Sequence, residues 1–92
     1  MELKGDFTKA RFSLATELAR LGKTEEARSQ LLEAVRLQPN FLEAHLTLGV
    51  SFFEESKATE ARHHFQEVLR LSSTNAVAQQ YLARLAGGKP PR

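Results

Sequence analysis

A chain of 92 residues fits one domain, and at this size folding buries only about 60% of the unfolded surface, so the core must be economical. Hydrophobic residues make up 41% and charged residues 26%, an ordinary globular balance, and the net charge of +2, with bases interleaved among acids as in "RLGKTEEAR", leaves no footprint for nucleic acid. No apolar run approaches the roughly 20 residues of a membrane span, no basic-then-apolar segment opens the chain as a secretory signal would, and the lack of cysteine removes disulfide and thiolate chemistry; no membrane insertion and a cytoplasmic location are the expectations.

Apolar residues at helical spacing predict a first helix over about 7–21, with Ala10, Leu14, Leu18 and Leu21 as its core stripe. Gly22 suits the left-handed position that ends it, and Thr24 with Glu25 and Glu26 reads as an N-cap followed by acids in the first turn of a second helix, about 24–37. That helix carries its own stripe of Ala27, Leu31, Ala34 and Val35. A join this short makes the two helices an antiparallel hairpin. Pro39 closes the hairpin, and Asn40 with Glu43 has the capping-box spacing for a third helix over about 41–55. Further helices are predicted at about 58–71 and 75–86, with "GGKPPR" as a frayed tail or linker.

The second hairpin repeats the first. At a lag of 34 residues Ala10 meets Ala44, Leu14 meets Leu48, Lys23 meets Lys57, and Glu26-Ala27-Arg28 meets Glu60-Ala61-Arg62. Glu33, Arg36 and Leu37 then meet Glu67, Arg70 and Leu71, while Ala15/Gly49, Leu18/Phe52, Leu31/Phe65 and Val35/Leu69 are like for like. Identity falls on spaced positions, the signature of shared packing and not of shared chemistry.

These residues resemble the tetratricopeptide repeat, a helix-turn-helix unit with a Leu-Gly/Ala pair, a turn Gly, a buried Ala and a closing Pro. Leu14-Ala15, Leu18, Gly22, Ala27, Leu31, Ala34 and Pro39 carry the likeness in the first unit; Leu48-Gly49, Phe52, Ala61, Phe65 and Val68 carry it in the second. Arg11 and His45 stand where the family often has Trp, Ser56 replaces the turn Gly, and Ser73 replaces the Pro. The resemblance implies an all-α, right-handed superhelix of two such hairpins, at about 8–41 and 42–75, plus a C-terminal capping helix at about 76–86 and a tail at 87–92, together one domain. It also implies a protein or peptide partner held in a concave groove lined by the first helix of each pair.

On the face opposite the core stripe the first helix carries Phe12, Thr16 and Ala19, and the third carries Leu46, Val50 and Phe53. Two readings follow: grease between neighbouring helices, or a shallow apolar groove edged by Lys9, Arg20, Glu43, Glu54, Gln80 and Arg84. Family members that grip a C-terminal carboxylate use paired Lys and Asn, but Phe12, Thr16 and Thr47 occupy those places here, so no such clamp is implied. The rim changes sign along its length, which suits neither a uniformly acidic nor a uniformly basic ligand.

The stretch "EARHHFQE" sets Glu60, His63, His64 and Glu67 at i,i+3 and i,i+4 spacings that can hold a divalent ion. They project away from Ala61, Phe65 and Val68, so a solvated face is the expectation, with no metal site; His45 reads as a half-buried spacer. No nucleophile-base pair, phosphate loop or dinucleotide fingerprint appears. Binding without catalysis or cofactor is therefore expected. Self-association into a homo-oligomer, or service as an accessory domain of an enzyme, is the alternative.

Overall fold

The computed structural model describes residues 4–87. They form α1 (Lys4–Arg20), α2 (Thr24–Leu37), α3 (Leu42–Glu54), α4 (Ala58–Leu71) and α5 (Ala76–Leu85), with no strand among the described residues. The first helix starts three residues earlier than the spacing predicts, and of the "GGKPPR" tail only Gly87 lies within the described residues. The chain divides into two compact units, Met1–Ala44 and His45–Arg92. The first holds the α1–α2 hairpin; the second holds α4, α5 and most of α3.

Both hairpin turns use the same bonds. After α1, Gly22 takes φ +84°, its amide bonds to the Ala19 carbonyl at 3.0 Å, and the Lys23 amide reaches back to Leu18 at 2.8 Å. After α3, the Ser56 amide bonds to Phe53 at 3.0 Å and the Lys57 amide to Phe52 at 2.9 Å. These bonds satisfy carbonyls that the ending helix leaves open. Ser56 must take φ +63° to make them, a left-handed conformation that costs a residue with a Cβ about 1–2 kcal/mol. Ser56→Gly is therefore expected to raise stability by about 0.5–1 kcal/mol, less than the full penalty because glycine has more freedom to lose. An upward shift of the urea midpoint at unchanged slope is the measurement.

Lys23, not Thr24, caps α2, and its side chain makes no capping bond. The reason lies in the turn: the Lys23 carbonyl already accepts from the Ala27 amide at 2.9 Å, which draws Thr24 into the helix as its first residue. A side-chain cap does hold α5, where Asn75 Oδ1 accepts from the Ala78 amide at 2.9 Å. The loops that close the hairpins also match at the 34-residue lag, with Phe41 N–H bonded to Gln38 O at 3.1 Å and Asn75 N–H to Ser72 O at 3.0 Å. Ser73 thus stands in a turn equivalent to that of Pro39 without altering its hydrogen bond.

Burial follows the predicted stripe on α2, where Ala27, Leu31 and Ala34 are buried and Val35 is half-buried. On α4 the stripe is Ala61, His64, Phe65 and Val68. The stripe predicted on α1 is wrong. Ala10 is exposed, Leu14 and Leu21 are 47% and 60% exposed, and Leu18 is half-buried, while Thr8 and Ala15 are the buried residues. Within the first unit α1 packs on α2, and the 3.0 Å bond from Arg11 Nη1 to Gln30 Oε1 marks the side it turns to that partner. Thr8, Arg11, Ala15 and Leu18 share this side at i, i+3, i+7 and i+10.

Candidate functional site

In the first unit, Phe12 is half-buried with its ring 5.2 Å from that of Phe41. Thr16 is exposed and donates its hydroxyl to the Phe12 carbonyl at 3.0 Å, a local bond that leaves the backbone helical. Lys9, Ala19 and Glu43 are exposed. Arg20 lies along its own helix, with Nε donating to Glu17 Oε2 at 2.8 Å. The expected rim of this unit is thus polar and open, and Phe12 is the large apolar side chain it borders.

In the second unit, Leu46, Val50 and Phe53 are all half-buried along α3. Phe53 meets Tyr81 of α5 edge to face at 4.8 Å and 77°. Tyr81 in turn stacks on Phe65 of α4 at 4.7 Å and 8°, so one aromatic column ties three helices together and leaves part of its top residue accessible. Arg84 sets its guanidinium 5.6 Å from the Tyr81 ring centre, within cation–π range. Gln80 and Arg84 are exposed beside it, and Glu54 is exposed at the end of α3.

A second apolar surface escaped the sequence reading. Phe7, Ala10, Arg11, Leu14 and Gln30 line an open hollow of about 300 Å³ in the first unit, with the Arg11 guanidinium 5.0 Å from the Phe7 ring centre. Phe7 and Leu14 are 54% and 47% exposed, whereas their counterparts at the 34-residue lag, Phe41 and Leu48, are 8% and 0% exposed. Equal residues at equal register positions read alike in a sequence. Their exposure, not their register, separates the open set from the covered one.

The histidines also depart from expectation. His64 is not on a solvated face, and His45 is not a half-buried spacer: they are 7% and 5% exposed, and their Nδ1 atoms lie 3.1 Å apart. His64 sits three residues after Ala61 and four before Val68, which places it inside the buried stripe of α4. Phe52 stacks on its ring at 5.7 Å and 10°. His63 and Glu60 are exposed as expected, and Glu67 is bonded to Arg70 at 2.8 Å. Among the described residues no three His, Cys, Asp or Glu side chains converge to hold a metal ion.

Charge on α2 and α4 is organised by the repeat as well. Arg36 Nε donates to Glu33 at 3.0 Å and Arg70 Nε to Glu67 at 3.0 Å, the same i,i+3 pair one repeat apart. The hydrogen bond from each arginine holds its carboxyl below the usual carboxylate range. Exposed pairs of this kind contribute little to stability, and they leave the outer faces of both helices polar.

Helices paired through identical turns, with buried stripes, ion pairs and a cross-hairpin polar contact all recurring at one spacing, define a helical-repeat protein. The chain belongs to the tetratricopeptide repeat family, whose sequence profile matches residues 12–76. It is 33% identical over 95 aligned residues to Cellulose synthase 2 operon protein C of Komagataeibacter xylinus, a match covering 95% of this chain and 7% of that protein. It is also 33% identical over 78 residues to U-box domain-containing protein 70 of Oryza sativa subsp. japonica, covering 77% of this chain and 10% of that one. The chain therefore spans a tenth or less of these relatives. The tetratricopeptide repeat is in general a protein–protein interaction module, and no described helix is long and apolar enough to cross a membrane.

Proposed function

We propose that the chain binds a peptide or protein segment through the half-buried apolar residues on the first helix of each hairpin, as part of a larger protein or complex. In the first unit the contact is Phe12 with Thr16 and Ala19 beside it; in the second it is Leu46, Val50 and Phe53, edged by Gln80 and Arg84. The observation that carries this reading is the intermediate burial of all four large side chains. They are packed well enough to be held in place and open enough to be covered by a ligand. Helices held by their own turns present such residues already ordered, so the ligand bears most of the entropy of association. The role is binding without turnover.

The test compares wild type with Phe12→Ser and Val50→Ser for retention of protein partners on immobilised chain, and for stability. Each variant is expected to lose about 1 kcal/mol, roughly half the value of a fully buried side chain, while retention of the partner falls to background. A loss of about 3–5 kcal/mol, as for truncation in a core, would assign these residues to packing instead.

Self-association is the second reading, and the exposed apolar hollow around Phe7 and Leu14 favours it, since contiguous apolar surface on a small domain marks a place of contact. Sedimentation over a range of concentrations separates it from the first.

A further inference from the structure

The polar contact across each hairpin occupies the same two register positions, yet its chemistry differs between them. Arg11 and Gln30 make it in the first hairpin at 3.0 Å; their counterparts 34 residues on are His45 and His64, at 3.1 Å. A guanidinium and an amide keep one protonation state across the physiological range. Two imidazoles do not. Nδ1 facing Nδ1 is a hydrogen bond only when one ring donates its N–H and the other presents a lone pair. A proton added at the outer Nε2 of the donating ring leaves this bond in place, but once both rings are imidazolium the lone pair is gone and two N–H donors, both on cations, face each other at bonding distance.

On balance the surroundings oppose an added charge on His64. The pair is buried on both sides, and the flat face of Phe52 lies parallel to the His64 ring. Three groups set the local field on His64: His45 across the contact, the exposed His63 with its ring edge-on at 4.9 Å, and Glu67. The two histidines oppose a proton on His64, and Glu67 favours one. Glu67 is itself bonded to Arg70, which offsets part of its charge.

We propose that His45 and His64 form an acid-released latch in the second hairpin, closed across α3 and α4 while one ring keeps a lone pair to accept from the other and opened when both rings are protonated. The first hairpin, with its Arg11–Gln30 contact, has no such release. Burial, then the neighbouring His45 and His63, lower the His64 pKa from 6.5 to about 4. The unfolded chain accordingly takes up this proton near pH 6.5, and the folded chain only near pH 4. Between those values the unfolded state binds more protons, so stability falls as the pH falls. Above this window the latch contributes fully.

The experiment is equilibrium urea unfolding of the full chain at pH 7.5, 6.5 and 5, beside the double variant His45→Arg/His64→Gln, which installs the contact of the first hairpin in the second. For wild type the ratio of folded to unfolded protein is expected to drop on the order of tenfold between pH 6.5 and 5. The double variant should change by less than about threefold over the same range, and His63→Gln, which removes the weaker of the two opposing histidines, should keep most of the wild-type slope. Should the double variant fail to fold, an NMR titration of the wild-type His64 ring replaces it, with the ring expected to stay neutral down to pH 5. Wild-type stability that is equal at pH 7.5 and 5, or a His64 ring that protonates near 6.5 with the fold intact, would overturn the latch.

Discussion

Truncating Phe65 to alanine is expected to cost about 3–5 kcal/mol, the range for removing a large aromatic ring from a closed core. Phe65 has no exposed surface. One face of its ring stacks on Tyr81 of α5, and its edge lies so close to α3 that a Cβ built at Gly49 would stand 2.7 Å from it. A cavity here borders all three helices of the second unit, and none can fill it without leaving the others. α5 depends on the column most, because among its residues only Ala78 is buried. Hydrogen exchange should thus show α5 amides losing protection before those of α4. A cost below about 1 kcal/mol, outside the usual range for such a truncation, would mean that the column is not closed.

The repeat made much of this legible in advance. Sliding the chain by 34 residues aligned the turns, the buried alanines of α2 and α4 and the Leu31/Phe65 pair, and each of these positions behaves alike in the two units. Failures came where register and surroundings part company. Leu14 and Leu48 are the same residue at the same point of the same motif, but one is open and the other is covered. Periodicity reports which residues share a side of a helix; it does not report which side meets a neighbour.

His64 was misread for a different reason. A charged-looking "HH" after Arg62 suggests solvent, yet Ala61 and Val68 fix the buried stripe, and His64 falls within it by count alone. What no count reveals is its partner. His45 reads in the sequence as a half-buried spacer where the family often has Trp, and only the fold brings it within bonding distance of His64. Polarity in a core position, at the same register as another polar residue one repeat earlier, was the available signal. The half-buried residues Leu46, Val50 and Phe53 of α3 are legible as a set, because they lie off the stripe of Ala44, Leu48 and Phe52, which is buried. Their degree of exposure is not, since it depends on how closely each helix approaches its neighbours.

Adding one methyl group at Gly49 is expected to destabilise the second unit by about 1–3 kcal/mol through overpacking, with a gain of about 1 kcal/mol in helix propensity offsetting part of it. Overpacking wins because the obstacle cannot readily recede: the new Cβ would lie 2.7–2.9 Å from three carbons of the Phe65 ring, and Tyr81 is stacked on one face of that ring. The first unit solves the same crossing differently, with Ala15 at the position of Gly49 and Leu31 at that of Phe65, both buried. The smaller Leu31 thus holds the position of Phe65 where Ala15, which carries a Cβ, holds that of Gly49. Placing Phe65→Leu together with Gly49→Ala copies that solution, so the double variant should be more stable than the sum of the single changes predicts, by about 0.5–3 kcal/mol, the coupling expected of residues in contact. Urea midpoints of the two single variants, the double variant and wild type complete the cycle. Strict additivity, or a neutral Gly49→Ala, would show that α3 and α4 cross more loosely than the 2.7 Å approach requires, and that the exchange of Gly-Phe for Ala-Leu between repeats is not a matched pair.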